Sequence, residues 1–357
     1  MIELITDFTR AWTDGLVRTL EGFRRGLADP CILDDPEPVT PYQVIYEEGR
    51  VQLRHYPAPD RRQATPLFLV YALFKRPWLL DMLPGRSVVE SLNRQGFDVY
   101  LTDWLPPRSS DRWRGFDAYV NGDLADAVRA VQIAEDVEQV SVLGYCSGGI
   151  LAAIYAALHP ENVKNLVTLT LPFDMSARDR PTYAMMQHLE PETIDLVTAN
   201  YGNCPAWMVK AGFDAMAPLH NAIDKYVGLY RNRHLDGYAE TFALIERWMA
   251  SDVPLAGKLF RELAIDVFRE NRLARNELAV GGRVVDVREI RCPLLNVIGE
   301  FDEVVPPSSS LPFADAVGSE DKRTLTFRTG HIGPAASASA IRKLWPAIGG
   351  WLAERDS

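Results

Sequence analysis

The stretch VSVLGYCSGGILAAIYAALH, residues 140–159, decides how the rest of the chain is read. It opens on the apolar run Val140–Leu143, passes through the glycine-rich turn Gly144–Gly149, and continues with helix-forming alanines and leucines. A strand that turns sharply into a helix presents the residue at the turn, and the tight backbone there admits only minimal side chains two positions to either side. Gly144 and Gly148 stand at those positions around Cys146. A cysteine so placed lies at a helix N-terminus, which favours its thiolate and offers backbone N–H groups, that of Ser147 first, to an oxyanion. A buried structural cysteine among glycines is the bland alternative. The strand before and the helix after favour a nucleophile.

Outward from this turn, short apolar runs alternate with helical stretches, the layout of a parallel sheet covered by helices on both faces. The strand candidates are 67–71, 98–102, 140–143, 166–169, 294–298 and 324–327, mostly continuous apolar runs as expected of strands buried on both sides. The rhythm stops between Pro172 and Val285, where helical stretches carry many aromatics, and this segment reads as a mostly helical cap inserted between two core strands. The resulting division is a helix and connector (1–40), a first core part (41–171), the cap (172–285) and a second core part (286–357). With the turn as a nucleophile elbow, the fold class is the α/β hydrolase fold, with cysteine in the place usually held by serine.

That fold orders its catalytic groups as nucleophile, acid, histidine, each on a loop after a strand. Asp302 follows LLNVI in GEFDEVVPP, with Glu300 and Glu303 as neighbouring competitors, and His331 follows TLTF in RTGHIGP. His159 ends the helix after the elbow, where capping of carbonyls is expected. A second oxyanion N–H is expected from the loop after LFLVY, Ala72 to Phe74, with Phe74 the leading candidate.

Composition narrows the remaining classes. The chain has 357 residues, 47% hydrophobic, enough for a large core, and a net charge of −10 that provides no global basic field for nucleic acid. Cys31, Cys146, Cys204 and Cys292 form no CxxC pair and no zinc spacing, so neither a disulfide framework nor a metal site is expected, and a reduced, cytoplasmic setting fits. The three cysteines outside the elbow read as structural. The N-terminus carries Glu3, Asp7 and Asp14 and so lacks a signal-peptide pattern, and no run reaches the ~18 apolar residues of a membrane span. Ile5, Phe8, Trp12, Leu16, Leu20 and Phe23 recur at helical spacing, a face that docks on the chain's own core or on a partner.

The blocks VYALFKRP, DVYLTDW, GYCSGG, VKNLVTLTLPFD, ERWMASD, CPLLNVIGEFDEVVPP, GHIG and PAIGGWLAER, in this order, resemble those of polyhydroxyalkanoate synthases, over residues from about Thr40 to the C-terminus. The resemblance implies polymerisation of (R)-3-hydroxyacyl-CoA, with short-chain substrates such as 3-hydroxybutyryl-CoA expected, using Cys146, Asp302 and His331. It implies no cofactor, the CoA thioester being substrate. The partners it implies are the growing polyester and its granule and a small accessory subunit, as in the short two-subunit synthases; a homodimer is compatible with it. Two residues depart from the family pattern near the oxyanion region: Lys75, where Asn is usual, and Ser147, where Gln or a small apolar residue is commoner. A cysteine hydrolase of the dienelactone hydrolase type would keep the same triad, and a non-catalytic scaffold would not need it. Cap residues Trp207, Phe213, Tyr226, Tyr230, Phe242 and Trp248 are expected to help exclude water from the acyl enzyme.

Overall fold

The computed structural model describes residues 36, 38–177, 181–216, 225–232, 234 and 237–356, the side chains of 181, 182, 215, 216 and 226 excepted. The N-terminal apolar stripe, Cys31 and the Tyr226 side chain lie outside the described residues. The strands are β1 (Gln43–Glu48), β2 (Val51–Tyr56), β3 (Leu67–Val70), β4 (Val99–Trp104), β5 (Val140–Tyr145), β6 (Val163–Leu169), β7 (Ala279–Val280), β8 (Arg283–Val284), β9 (Leu294–Gly299) and β10 (Lys322–Phe327). All except the β7–β8 pair join one sheet in the order β1-β2-β4-β3-β5-β6-β9-β10. From β4 to β10 the pairing is parallel, and β2 runs antiparallel to both of its neighbours.

Each of the six expected strand regions carries one of these strands; five are covered on both faces and so apolar at nearly every position, while the edge strand β10 is largely exposed. All six residues of β5 are buried, as are all six of β4 and of β9. The side-chain alternation of β3 shows how the two faces divide. Leu67 and Leu69 pack into one core cluster and Phe68 and Val70 into the other. The β1–β2 hairpin adds two strands that have no counterpart in the sequence reading. It turns at Gly49, whose φ of 60° suits glycine, and its inner strand buries Arg54, paired with Asp103, where an apolar residue would have announced a strand.

The helices that matter here are α1 (Val88–Arg94), α2 (Ala125–Glu135), α3 (Ser147–Leu158), α4 (Pro181–Gln187), α5 (Pro191–Tyr201), α6 (Ala206–Met216), α7 (Lys225–Asn232), α8 (Tyr238–Met249), α9 (Gly257–Glu262) and α10 (Trp345–Ala353). All twelve residues of α3 are buried, so this helix is apolar all round and is held by the core on every side. Helices α4 to α9 lie between β6 and β9. From Leu255 onward this segment rejoins the main core: Leu255, Leu259, Leu263, Val267, Leu273 and Leu278 share a cluster with α3.

Register lines up the strand ends. Val70 pairs with Gly144, Tyr145 with Leu169, Leu169 with Val297, and Gly299 with Phe327. The loops that leave β3, β5, β9 and β10 therefore emerge along one edge of the sheet, where parallel α/β sheets place their sites.

Candidate active site

Cys146 sits between β5 and α3 with φ 53° and ψ −122°, a left-handed backbone that a non-glycine residue holds only when its surroundings impose it. Two constraints do so. The Cys146 N–H donates to the Leu169 carbonyl at 2.9 Å, and the Gly149 N–H donates to the Cys146 carbonyl at 2.8 Å. The turn closes so tightly that a Cβ on Gly148 would lie 2.2 Å from the Val70 oxygen, and one on Gly144 2.6 Å from the Gly149 Cα. The glycine spacing thus has a steric cause, in strand β3 for Gly148 and in the helix that follows the elbow for Gly144.

Asp302 lies just past β9 and is fully buried. Its Oδ1 accepts from the N–H groups of Val304 and Val305 at 2.9 and 2.7 Å, and its Oδ2 meets His331 Nδ1 at 2.7 Å. Both oxygens are engaged. Glu303 is exposed, and Glu300 lies 3.6 Å from Arg328 with much of its side chain in solvent, so neither competitor faces the histidine.

Burial works against a charge on His331, but Asp302 and then Cys146 act in the other direction and win, so its pKa stands well above 6.5. The ring spends Nδ1 on Asp302, which leaves Nε2 for the sulfur of Cys146. Burial pushes the thiols of Cys204 and Cys292 up to about 12, against a backbone hydrogen bond in the case of Cys292, which makes both poor nucleophiles near neutral pH.

On the oxyanion side, the first amides of α3 have no acceptor within their own helix, which leaves Ser147 N–H available. Of the candidate amides after β3, that of Leu73 is already used: it donates to Ser147 Oγ at 3.0 Å. Ala72 and Phe74 remain in the contest.

Two tyrosines that the sequence reading did not single out complete the site. Tyr145 OH donates to the His331 carbonyl at 2.9 Å, and its ring stacks near the imidazole at 6.1 Å, so the residue before the nucleophile also supports the base. Tyr71 is fully buried beside Cys146, and burial pushes its phenol well above the ordinary 10, which keeps it neutral. Its position at the end of an apolar strand gave no sign of this.

Other expectations meet a different arrangement. His159 is the C-cap of α3, as expected, with its backbone N–H donating to the Tyr155 carbonyl at 2.8 Å, but its ring meets Asn121 Oδ1 at 2.8 Å instead of the helix carbonyls. Of the cap aromatics, Trp248 is buried in the same cluster as Cys146, and Phe213 packs edge-on against Phe74 with centroids 5.3 Å apart. Trp207 and Tyr230 are 52% and 45% exposed, so they face solvent instead of sealing the site, and Phe242 is half-buried. Away from this edge, His55, Asp98 and Glu135 converge, a grouping dispersed in sequence; Arg61 pairs with both carboxylates.

Residues 66–334 match the family model described as the alpha/beta hydrolase fold, and the chain belongs to that class. A monoacylglycerol lipase from Paleococcus ferrophilus has the same fold, with a TM-score of 0.54 and 16% identity over 86% of this chain and 100% of the lipase. Within the class, the chain is 38% identical to the poly(3-hydroxyalkanoate) polymerase subunit PhaC of Haloferax mediterranei, over 89% of its own length and 64% of the relative's. It is 35% identical to the protein of the same name from Allochromatium vinosum, over 89% of both chains. The chain belongs to the poly(3-hydroxyalkanoate) polymerase family and is an enzyme of the acyltransferase class.

Proposed function

We propose that this chain polymerises (R)-3-hydroxyacyl-CoA, short-chain substrates such as 3-hydroxybutyryl-CoA among them, through an acyl thioester on Cys146. The observation that carries the reading is Cys146 on its strained turn, at the sheet edge that also bears the His331–Asp302 pair, in a chain of the polymerase family. His331 takes the thiol proton and Cys146 Sγ attacks the thioester carbonyl, whose oxygen turns toward Ser147 N–H and an amide of the Ala72–Phe74 loop. The tetrahedral species expels CoA thiolate, which leaves with the proton from His331. In the second half-reaction His331 takes the proton of a 3-hydroxyl group, the resulting oxyanion attacks the acyl–Cys146 thioester, and the ester forms as Sγ departs and recovers the proton. Asp302 orients the imidazole and stabilises its charge; its own oxygens are both occupied, which supports His331 over Asp302 as the base toward the hydroxyl.

The named relatives are subunits, and we infer that this chain also works with a second, small subunit and moves onto the polymer granule as product accumulates. A cytoplasmic site of action is part of the same reading. No helix among the described residues is long and apolar enough to cross a membrane.

The test is purified chain with 3-hydroxybutyryl-CoA, following CoA release and product together. Polyester forming in step with CoA is the expected result. Free 3-hydroxybutyrate as the sole product would instead make the chain a cysteine hydrolase.

A further inference from the structure

The loop that leaves β3 beside the nucleophile is gripped from two sides. On the core side, Ser147 Oγ accepts the Leu73 N–H, so the residue after Cys146 ties this loop to the first turn of α3. On the insertion side, the end of α8 and the segment after it hold the loop's backbone. Val253 N–H donates to the Phe74 carbonyl at 3.0 Å, Lys75 and Asp252 form an isolated antiparallel bridge, and Trp248 Nε1 donates to the Arg76 carbonyl at 2.9 Å. Phe74, whose amide is one of those left to the oxyanion, lies between the two grips.

The side chains of the bridge are charged. Lys75 Nζ lies 2.8 Å from Asp252 Oδ1 and donates to the Met249 carbonyl at 2.5 Å, with 6% and 4% of the two side chains exposed. Asp252 forms no other ion pair among the described residues. Two closely packed segments of this kind are usually held as well or better by apolar side chains, since desolvating both partners of a buried pair costs about as much as their attraction returns. Burial lowers the Lys75 pKa and raises that of Asp252, each opposed by the partner's charge. What such a pair supplies in exchange is a single register and an all-or-none contact: it is made when the insertion sits on the loop and hydrated when it does not.

We propose that Lys75 is a positioning residue whose buried ion pair with Asp252 fixes the Phe74 segment of the oxyanion loop, so that closing the insertion and completing the oxyanion hole are one event. Lys75 does not reach the reacting atoms; it acts through the backbone of its neighbour. The inference rests on the reading of Cys146 as nucleophile; Ser147 secures the loop to the elbow and Lys75 secures it to the insertion. An acyl-CoA that draws the insertion shut would thereby assemble the site, and an open enzyme would spend little of its acyl thioester on water.

The test compares wild type with Lys75→Met and with Lys75→Met/Asp252→Asn, the second of which leaves no uncompensated buried carboxylate and so guards against misfolding. Three readouts are taken on folded protein: burst acetylation of Cys146 by p-nitrophenyl acetate, alkylation of Cys146 by iodoacetamide, and amide hydrogen exchange of residues 72–76. Acetylation passes through an oxyanion, whereas alkylation is a direct displacement of iodide that needs none. We expect acetylation to fall about 10²-fold in both variants, the loss that follows a misplacement of about an ångström, while alkylation holds or rises and exchange at 72–76 quickens. A merely structural role would leave acetylation per folded molecule and exchange at 72–76 as in wild type in the double variant, and that result overturns the proposal. Wild type that accepts acetyl on Cys146 but makes no polyester would refute the polymerase reading and leave the clamp standing. Wild type that accepts no acetyl group would refute the nucleophile, and the exchange of 72–76 would then decide the clamp by itself.

Discussion

Every residue of β5 and of α3 is buried, whereas α5 buries Ile194 alone and leaves Leu196 and Tyr201 65% and 57% exposed. The elbow and the first part of the insertion thus sit in one chain under opposite constraints. Around Cys146, strands, glycines and α3 meet on all sides, so the nucleophile cannot shift without moving the sheet. Helix α5 touches the body of the protein along one narrow line, and displacing it exposes little new apolar surface. Chemistry is placed on the part that its surroundings hold on every side.

The largest effect expected from breaking this arrangement is at the nucleophile. Cys146→Ala should lower CoA release by roughly 10⁴-fold or more with the fold intact, as loss of a nucleophile does elsewhere; circular dichroism beside the CoA assay checks both halves. Asp302→Asn comes next, with a loss of about 10³- to 10⁴-fold, because the imidazole loses its orienting charge.

The same change carries a pH signature. In the wild type the folded pKa of His331 lies above its unfolded value near 6.5, so this group stabilises the fold fully below that value and the contribution is lost as pH rises through the folded pKa. Without the Asp302 charge, desolvation remains and the folded pKa falls, so the acid-side stabilisation should shrink. Denaturation midpoints measured against pH should therefore differ in slope between wild type and variant; parallel curves would contradict this account of the pair.

Gly148→Ala tests the elbow's packing without touching chemistry. A Cβ at 2.2 Å from the Val70 oxygen and 2.5 Å from that of Tyr71 meets backbone that cannot give way, and a loss of about 3 kcal/mol in denaturant unfolding is expected. The smallest effect belongs to the insertion surface: Leu196→Ser should change stability by no more than about 0.5 kcal/mol, as exposed positions usually do. A large loss there would mean that α5 is held far more firmly than its burial indicates.

The contrast between the two regions also sets what could be read from residues alone. Buried parallel strands must be apolar throughout, and a sharp elbow must be flanked by glycine, so both leave local marks in sequence; the loop bearing Asp302 follows a strand of the same kind, whereas that bearing His331 follows the largely exposed edge strand β10. Strand β1 left no such mark because QVIYEE faces solvent along much of its length, and β2 hides a buried Arg54 whose counter-charge, Asp103, lies on another strand. The Lys75–Asp252 pair is invisible for the same reason, since its partners are distant in sequence and each resembles an ordinary surface charge. Insertion aromatics misled in the other direction: Trp248 is buried near Cys146 and Trp207 is in solvent, and helical periodicity in a thin layer does not separate the two.

What resolves the thioester on Cys146 is the most direct question to put to the molecule. With butyryl-CoA, which lacks the 3-hydroxyl, the account predicts release of about one equivalent of CoA per chain, then a stall, with intact-protein mass spectrometry showing a butyryl adduct that maps to Cys146. With 3-hydroxybutyryl-CoA the same preparation should turn over continuously into oligomers. Steady conversion of butyryl-CoA to free butyrate, at a rate matching the hydroxylated substrate and with no adduct accumulating, would contradict it.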